Sequence, residues 1–489
     1  MFERIKSLSG FLNEAQEEVI KKPYKLVILT AKAKNNDTAK VISDAAKDAG
    51  MVSKVVDVNQ TSLISEGDDL FLLNKEDKTK FPIDRTDTVI LSRRGAIANT
   101  YSRNLLHNLE KHNFFCINTL ESMEICENKF LTTQALEAAG LPTPKTALAP
   151  SVEALDDAVK AVGGKFPVVV KLLSGTQGIG VSIVDSMSSL KSVYQTFKKL
   201  SAKSEILVQE KIESDHDLRI QVLIKKFNPA KPDPDNAVVI GAMRRNVIKG
   251  DFRTNYSLGG TVESADVTPE IEKIAIEAAQ VVGCNWCGVD IIIDKKTKKP
   301  YVLEVNSSPG TSGMISVNGN TIIESIINYV KSKKNWSFPK LEIGFRELIY
   351  VPGVGEMVAK FDTGNGSRAC SMHADEVKYE NGKIIWTLND KQYENDIVDV
   401  STTEVGSKTE ERPFTRMSIW FADKEIRDVP VAIVDRTEKS TPFLANRNFM
   451  EKMGTIVNPD KVFVVTKSPT TYDASSAKGD PHAGIKFEK

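Results

Sequence analysis

The chain has 489 residues, 41% hydrophobic and 27% charged, the profile of a globular protein of about three domains. Lys+Arg and Asp+Glu both number 65, which leaves no net charge and excludes a global basic field for nucleic acid. Five cysteines in so long a chain make no disulfide framework.

Residues 1–22 read as a helical extension without the apolar stretch of a signal peptide. No apolar run is long enough to cross a bilayer, so the expected location is the cytoplasm, with no membrane partner. YKLVILTAK (24–32), TAKVISDAAKDAG, SKVVDV and TVILSRR (88–94) alternate strand, helix, strand and strand. That pattern predicts an α/β domain over 23–118. A second, α+β domain is expected over 119–335, in two subdomains of about 119–203 and 204–335. It begins with a helix at 128–140. FPVVVKLLSGTQGIGVSIV then reads as two strands around a glycine turn, LRIQVLIKKF with NAVVIGAMRR as a hairpin, and GVDIIIDKKTKKPYVLEVN as another. A linker at 336–340 precedes a run of short strands, which predicts an all-β domain over 341–466. Residues 467–489, rich in polar, Gly and Pro residues, are expected to be a disordered tail.

GVDIII…YVLEVNSSPG carries the strongest local chemistry. Glu304 and Asn306 are two apart on a strand and share a face. Asp290 is expected to start the partner strand and lie opposite them. Three hard oxygen donors suit Mg²⁺. The alternative is a solvated acidic face. It is disfavoured because Asp290 and Glu304 sit in apolar runs, where an unpaired carboxylate is costly. Lys171 ends FPVVVK just before SGTQGIG, where a lysine and backbone N–H groups can meet phosphate, or where an ordinary hairpin can turn. The stretch is neither a Walker motif nor a dinucleotide fingerprint.

Taken in order, NKFLTTQALEAAGLPTPKT, FPVVVKLLSGTQGIGV, ILVQEKI, HDLRIQVL, GDFRTNYSLGG, GVDIII and LEVNSSPG resemble the ATP-grasp superfamily, most closely its RimK-type α-L-glutamate ligases. The resemblance runs over about 24–333. It implies ATP and Mg²⁺, with Mn²⁺ as a substitute ion. Lys129 and Lys171 match the lysines that hold ATP phosphates, and the loop containing Gly175, Gly178 and Gly180 would close over them. Glu210, Lys211 and Ile212 match the segment at adenine, and Asp217 the acid near the ribose. Arg219 lies in the matching D-[IL]-R. Arg253, Thr254 and Asn255 lie in the loop at the acyl-phosphate end, and Asp290, Glu304 and Asn306 match the metal ligands. The implied reaction phosphorylates a substrate carboxylate, which an amine then attacks. Arg253 and Lys171 would share the developing charge as catalytic residues.

Arg93 and Arg94 end a strand and can either hold a substrate carboxylate or sit solvated at the surface. Cys284 and Cys287 form a C-x-x-C without a second pair, which favours buried thiols over zinc or redox chemistry. The turn KKTKK (295–299) reads as a solvated hairpin tip, so nucleic acid is not an expected partner.

MVAKFDTG places Asp362 at the end of an apolar strand before a glycine turn. With SMHADEV and DRTEKSTPFLANRNF, it resembles the retropepsin-like domain of the family labelled ATP-dependent zinc protease, over about 341–466. Leu444-Ala445-Asn446 stands where that family has L-G-R, with Arg447 one place late, and Asn365 replaces the usual Ala. No H-E-x-x-H is present to hold zinc. An aspartic mechanism needs two carboxylates, so a single catalytic Asp362 demands a homodimer through this domain. The expected function is an ATP-dependent ligase joining glutamate or a similar amino acid to a peptide or protein carboxyl end. The alternatives are an aspartic-type peptidase regulated by the nucleotide domain, and a C-terminal binding module without turnover.

Overall fold

A computed structural model describes residues 23–33, 36–67, 69–173, 180–200, 205–225, 237–246, 261–336, 341–405, 408–422, 424–467 and 485–487. The chain divides into two compact units between Phe338 and Pro339.

The first unit opens with a parallel sheet, order β2-β1-β6-β7. Its strands are β1 (Lys25–Thr30), β2 (Val52–Asp57), β6 (Thr88–Ser92) and β7 (Phe115–Ile117). The strands are near-continuous apolar runs because both faces are covered. Leu26, Ile28, Val89 and Leu91 pack with Ala39, Ile42 and Ala46 of the helix Asp37–Asp48. Val27, Leu29 and Ile90 pack with Leu105, Leu106 and Leu109 of the helix Thr100–Lys111. The chain leaves β1 for β2 on one side and returns to β6 on the other, so β1 and β6 flank a topological switch point. Between β2 and β6 lies a meander absent from the sequence expectation: β3 (Thr61–Glu66), β4 (Asp69–Asn74) and β5 (Lys80–Ile83).

Two further sheets follow. The first has the order β10-β9-β11-β8, from β8 (Thr146–Ala149), β9 (Val168–Leu172), β10 (Val181–Val184) and β11 (Ile206–Glu210). Its apolar face meets the helices Leu155–Ala161 and Met187–Leu200 around Val168, Val170, Leu190 and Ile206. The second has the order β14-β13-β12-β15-β16. It is built from β12 (His216–Ile224), β13 (Ala237–Asn246), β14 (Val262–Ser264), β15 (Trp286–Ile293) and β16 (Pro300–Asn306). Leu218, Ile220, Val289, Ile291, Val302 and Val305 bury one face against Ile271, Ala275 and Ala278 of the helix Pro269–Val281. The other face carries charge, and the site is built there.

The second unit is mostly β. Its main sheet runs β18-β19-β27-β20-β26-β25-β24. The strands are β18 (Arg346–Val351), β19 (Gly355–Phe361), β20 (Cys370–His373), β24 (Asp399–Val405), β25 (Lys408–Phe421), β26 (Lys424–Val434) and β27 (Phe443–Ala445). A separate meander comprises β21 (Glu376–Glu380), β22 (Lys383–Leu388) and β23 (Lys391–Asp396). β17 (Leu341–Gly344) pairs with β28 (Thr455–Asn458). Of the expected disordered tail, residues 468–484 lie outside the described residues, and the expectation is corrected at Ile485–Phe487, which form a strand. β27 pairs only with Ala359–Phe361 of β19, and β29 (Ile485–Phe487) fills the remaining edge at Gly355–Met357. Unpaired strand edges are costly to leave open, and this segment supplies the missing partner.

One buried carboxylate fastens this unit. Glu347 is 0% exposed. Its oxygens accept from the backbone N–H of Gly344 (2.7 Å), Val464 (2.7 Å) and Thr466 (3.1 Å). Replacing Glu347 by Ala orphans these donors, so we expect a loss of about 3 kcal/mol or more in chemical denaturation of this unit.

Candidate active site

The charged face of the five-stranded sheet is a row of cross-strand pairs. Asp217 lies opposite Arg245, Arg219 opposite Asp290, and Asp290 opposite Glu304. A bulge after Asp290 lets Val302 and Val305 both reach the core while Glu304 and Asn306 stay on the charged face. Arg219 donates to both Asp290 oxygens, at 2.7 and 2.6 Å. Arg245 donates to both Asp217 oxygens, at 2.6 and 2.8 Å, and to Asp290 Oδ2 at 2.7 Å. Arg219 also approaches Glu304 at 3.6 Å. Asp217, Arg245 and Asp290 are 4%, 4% and 3% exposed, so these pairs act without water between them.

Three expectations change here. β15 begins at Trp286, so Asp290 sits inside the strand rather than at its start. Its carboxylate is not unpaired: two guanidiniums neutralise it and hold it well below the usual carboxylate range against the opposing effect of burial. The argument that burial alone demands a metal therefore fails. Asp217, expected near a ribose, instead spends both oxygens on Arg245 and is buried. Arg245 was not anticipated from sequence. Its placement depends on a register shift between Gln221 and Val222, across a hairpin whose loop residues intervene for eleven positions (226–236).

The lysines converge on the same carboxylates. Lys171 lies on β9, flanked by Val181 and Leu207. Burial pushes its ammonium down to about 8, while Glu304 and Asp290 draw it up and Lys129 pushes it further down. Lys129 opens the helix Lys129–Ala138, which Asn128 caps by accepting from Phe130 and Leu131. Burial lowers Lys129 as well, and Glu304 opposes the shift. Glu304 is raised by burial and by Asp290, and lowered by Arg219, Lys129 and Lys171. Asn306 Oδ1 accepts from Ser308 N at 3.0 Å. The result is two cations facing a carboxylate row, between two sheets.

The other anticipated residues divide. Glu210 ends β11, and its Oε1 accepts from Lys145 N at 2.8 Å, which leaves Lys211 and Ile212 in the crossing between the two sheets. Lys211 donates to Glu213 at 2.5 Å. Gly180 precedes β10 with φ +79, and a Cβ there would lie 2.5 Å from Leu172. Gly175, Gly178, Arg253, Thr254 and Asn255 fall outside the described residues. Arg94 is exposed, but Arg93 is 2% exposed, and burial pushes its guanidinium down to about 9. Cys126 and Cys284 lie 3.5 Å apart in the core, and Cys284 and Cys287 are fully buried. No group of three His, Cys, Asp or Glu side chains is arranged for a metal among the described residues.

In the second unit, Asp362 follows β19. Its Oδ1 accepts from Gly364 N at 3.0 Å, and its own N–H reaches Ala445 O at 3.1 Å. The altered segment grips the same turn. Asn446 donates to Ser367 O at 2.8 Å and caps the helix Arg447–Met453 through Phe449 N. Arg447 donates from Nε to Thr363 O at 3.2 Å. His373 is buried and accepts from Arg436 N at 3.0 Å through Nδ1, a structural use of that ring.

Comparison with known proteins fits this geometry. Residues 126–330 match the model of the RimK-like ATP-grasp domain. A "Probable alpha-L-glutamate ligase" of Marinomonas sp. (strain MWYL1) is 36% identical over 250 residues, covering 51% of this chain and 78% of that protein. One from Coxiella burnetii is 33% identical over 311 residues, covering 63% of this chain and 95% of that protein. Among solved structures, a RiPP-associated ATP-grasp ligase of Chryseobacterium gregarium has a TM-score of 0.49 at 16% identity, over 64% of this chain and 99% of that one. The chain belongs to the RimK-like ATP-grasp ligase family. It is an ATP-dependent ligase that forms amide bonds, and enzymes of this class use ATP and Mg²⁺. No helix among the described residues is long and apolar enough to cross a membrane.

Removing one member of the ion row tests the pairing directly. Arg245→Met takes both of the Arg245 bonds from buried Asp217 and leaves Asp290 to Arg219 alone. It is expected to cost about 3–5 kcal/mol in denaturant unfolding of the first unit.

Proposed function

We propose that the first unit transfers the γ-phosphoryl group of ATP to a substrate carboxylate and then joins that carbon to the amine of glutamate or a similar amino acid. The acceptor would be a peptide or protein carboxyl end. The observation that carries this reading is the convergence of Lys129 and Lys171 on Glu304, which lies opposite Asp290 on the neighbouring strand. Two desolvated ammonium groups facing a carboxylate row provide for a polyphosphate, with its charge on one side and a cation's ligands on the other.

The donor set fits Mg²⁺ in chemistry. Asp290, Glu304 and Asn306 are all oxygen donors on one face. Asp290 accepts three N–H bonds and keeps one of its about four lone-pair positions, and among the described residues Glu304 has the long contact to Arg219 as its one ion pair. A bound Mg²⁺ supplies charge neutralisation at the phosphate oxygens. Lys171 and Lys129 would hold those phosphates, and Arg219 and Arg245 would fix Asp290 in place. The acyl phosphate carries the leaving group, so attack by the amine needs no protein nucleophile. The balanced products are ADP, phosphate and the amide.

A second reading concerns the other unit. Asp362 sits at the end of a strand lying parallel to β27, with its turn held by Asn446 and Arg447. These contacts support an intact retropepsin-like half-site in spite of the altered L-A-N sequence. We infer a peptidase that needs Asp362 from two copies. Asp362→Ala should abolish peptide cleavage and leave ADP release untouched. Cleavage that survives the substitution removes this reading.

Two outcomes test the ligase reading. Glu304→Gln should lower acceptor-dependent ADP release on the order of 100-fold while the protein stays folded. Lys171 ordinarily titrates well above neutrality but here lies near 8. Phosphate beside it restores the charged form, so ATP binding should take up a substantial fraction of a proton at about pH 8.5 and almost none at about pH 6.5. Calorimetry in buffers of different ionisation enthalpy measures this, and Lys171→Met should remove the uptake. Equal uptake at both pH values would contradict the assignment.

A further inference from the structure

Arg93 is the first residue after β6, at the switch point of the parallel sheet, where open α/β sheets place their ligands. It is 2% exposed. Its guanidinium lies 4.4 Å over the ring of Trp286, and its Nη2 donates to Pro309 O at 2.5 Å. Its other two nitrogens, Nε and Nη1, are buried without a hydrogen-bond partner among the described residues. Leaving charged N–H groups unanswered in the interior is costly, and native proteins do so chiefly where a ligand answers them. The preceding Ser92 and the Ser308 beside Pro309 also keep buried hydroxyls without partners among the described residues.

The surroundings join this pocket to the ligase site. Pro309 belongs to the loop that follows Asn306 at the end of β16. A Cβ on Gly288 would lie 3.0 Å from Pro309 and 3.7 Å from Arg219, the residue that holds Asp290. Gln221 donates to Gly310 O at 3.2 Å, and Asn118 donates to Ser307 O at 2.7 Å. Thr311 reaches Thr38, in the first turn of the helix after β1, at 3.4 Å. The loop 307–311 thus lies against the switch-point residues on one side and continues into the candidate metal strand on the other.

We propose that Arg93 anchors a non-reacting carboxylate of a ligase substrate in this crevice, against the loop 307–311. A guanidinium matches a carboxylate in charge and hydrogen-bond geometry, and the anion would answer Nε and Nη1. A carboxylate held this way has its charge neutralised, so it is a poor phosphoryl acceptor. That separates the anchor from the reacting end beside Lys171 and Glu304. The inference rests on the ligase reading above. The anchored group belongs either to the incoming amino acid, as its α-carboxylate, or to the acceptor, as a side-chain carboxylate next to the reacting one.

The test compares wild type with Arg93→Gln and Arg93→Lys, each first checked for a native melting transition. ADP release is measured with L-glutamate against its α-amide, and with an acceptor peptide ending in Glu against one ending in Gln. Arg93→Gln should raise KM for the carboxylate-bearing compound of one pair about tenfold or more and erase wild type's preference within that pair. KM for ATP should stay within about twofold. Arg93→Lys, which keeps the charge, should retain part of the preference. The pair that loses its preference identifies the source of the carboxylate. Unchanged preference in both pairs, or equal losses for acid and amide, overturns the assignment. Calorimetric titration with L-glutamate, its α-amide and the two peptides reads the same preference without turnover. A wild type that binds but releases no ADP therefore counts against the ligase reading alone, and a carboxylate preference indifferent to Arg93 counts against the anchor alone.

Discussion

The first unit depends on one buried ion row. Asp217, Arg245, Asp290 and Arg219 occupy facing positions on three adjacent strands, and Glu304 extends the row to the fourth. Taking four charges out of water costs several kcal/mol per ion, and nothing in such a row repays that by stability alone. What the row secures is position. Arg219 and Arg245 both bond Asp290 and hold its carboxylate in place on the sheet face, beside Glu304. The same arrangement explains the direction of every shift. Lysines are pushed down by burial, Glu304 is pushed up, and Asp290 is pulled down because it alone has two guanidiniums in contact.

The row also orders the neighbouring loop. Gly288 has no side chain to keep Pro309 and Arg219 apart, so the chain after Asn306 can pass close to the strand bearing Asp290. That close approach brings the loop against Arg93, Asn118 and Gln221, which belong to strands or strand ends of two different sheets. Three backbone carbonyls of this loop, those of Ser307, Pro309 and Gly310, thus take side-chain bonds from both sheets. A Cβ at 288 would crowd Pro309 at 3.0 Å and sit in ordinary contact with Arg219 at 3.7 Å.

Much of this was legible in the chain, and the exceptions have physical causes. The alternation of strand and helix around β1 and β6 announced an α/β sheet. The spacing of Glu304 and Asn306 announced a shared face, because strand periodicity is local. Arg245 was hidden because its partner Asp217 is fixed by register across a long loop, and one bulge moves that register by a residue. Asp290 was misjudged because an apolar run says a carboxylate is buried but not what pairs with it. Arg93 and Arg94 looked equivalent, yet one turns inward beneath Trp286 and the other outward, a choice made by packing from 193 residues later in the chain. β29 was lost in a polar tail because an edge strand of three residues carries no hydrophobic period. In the second unit, the sequence showed L-A-N in place of L-G-R but not that Asn446 and Arg447 bond the turn after Asp362, because those contacts join segments about 80 residues apart.

The central claim is that this unit activates a carboxylate by phosphorylation before an amine attacks it. An acceptor peptide labelled with ¹⁸O in its terminal carboxylate, incubated with ATP, Mg²⁺ and L-glutamate, tests it most directly. The account predicts one ¹⁸O transferred into inorganic phosphate for each amide formed, with the peptide gaining the mass of the added residue. Amide formation with unlabelled phosphate would contradict it.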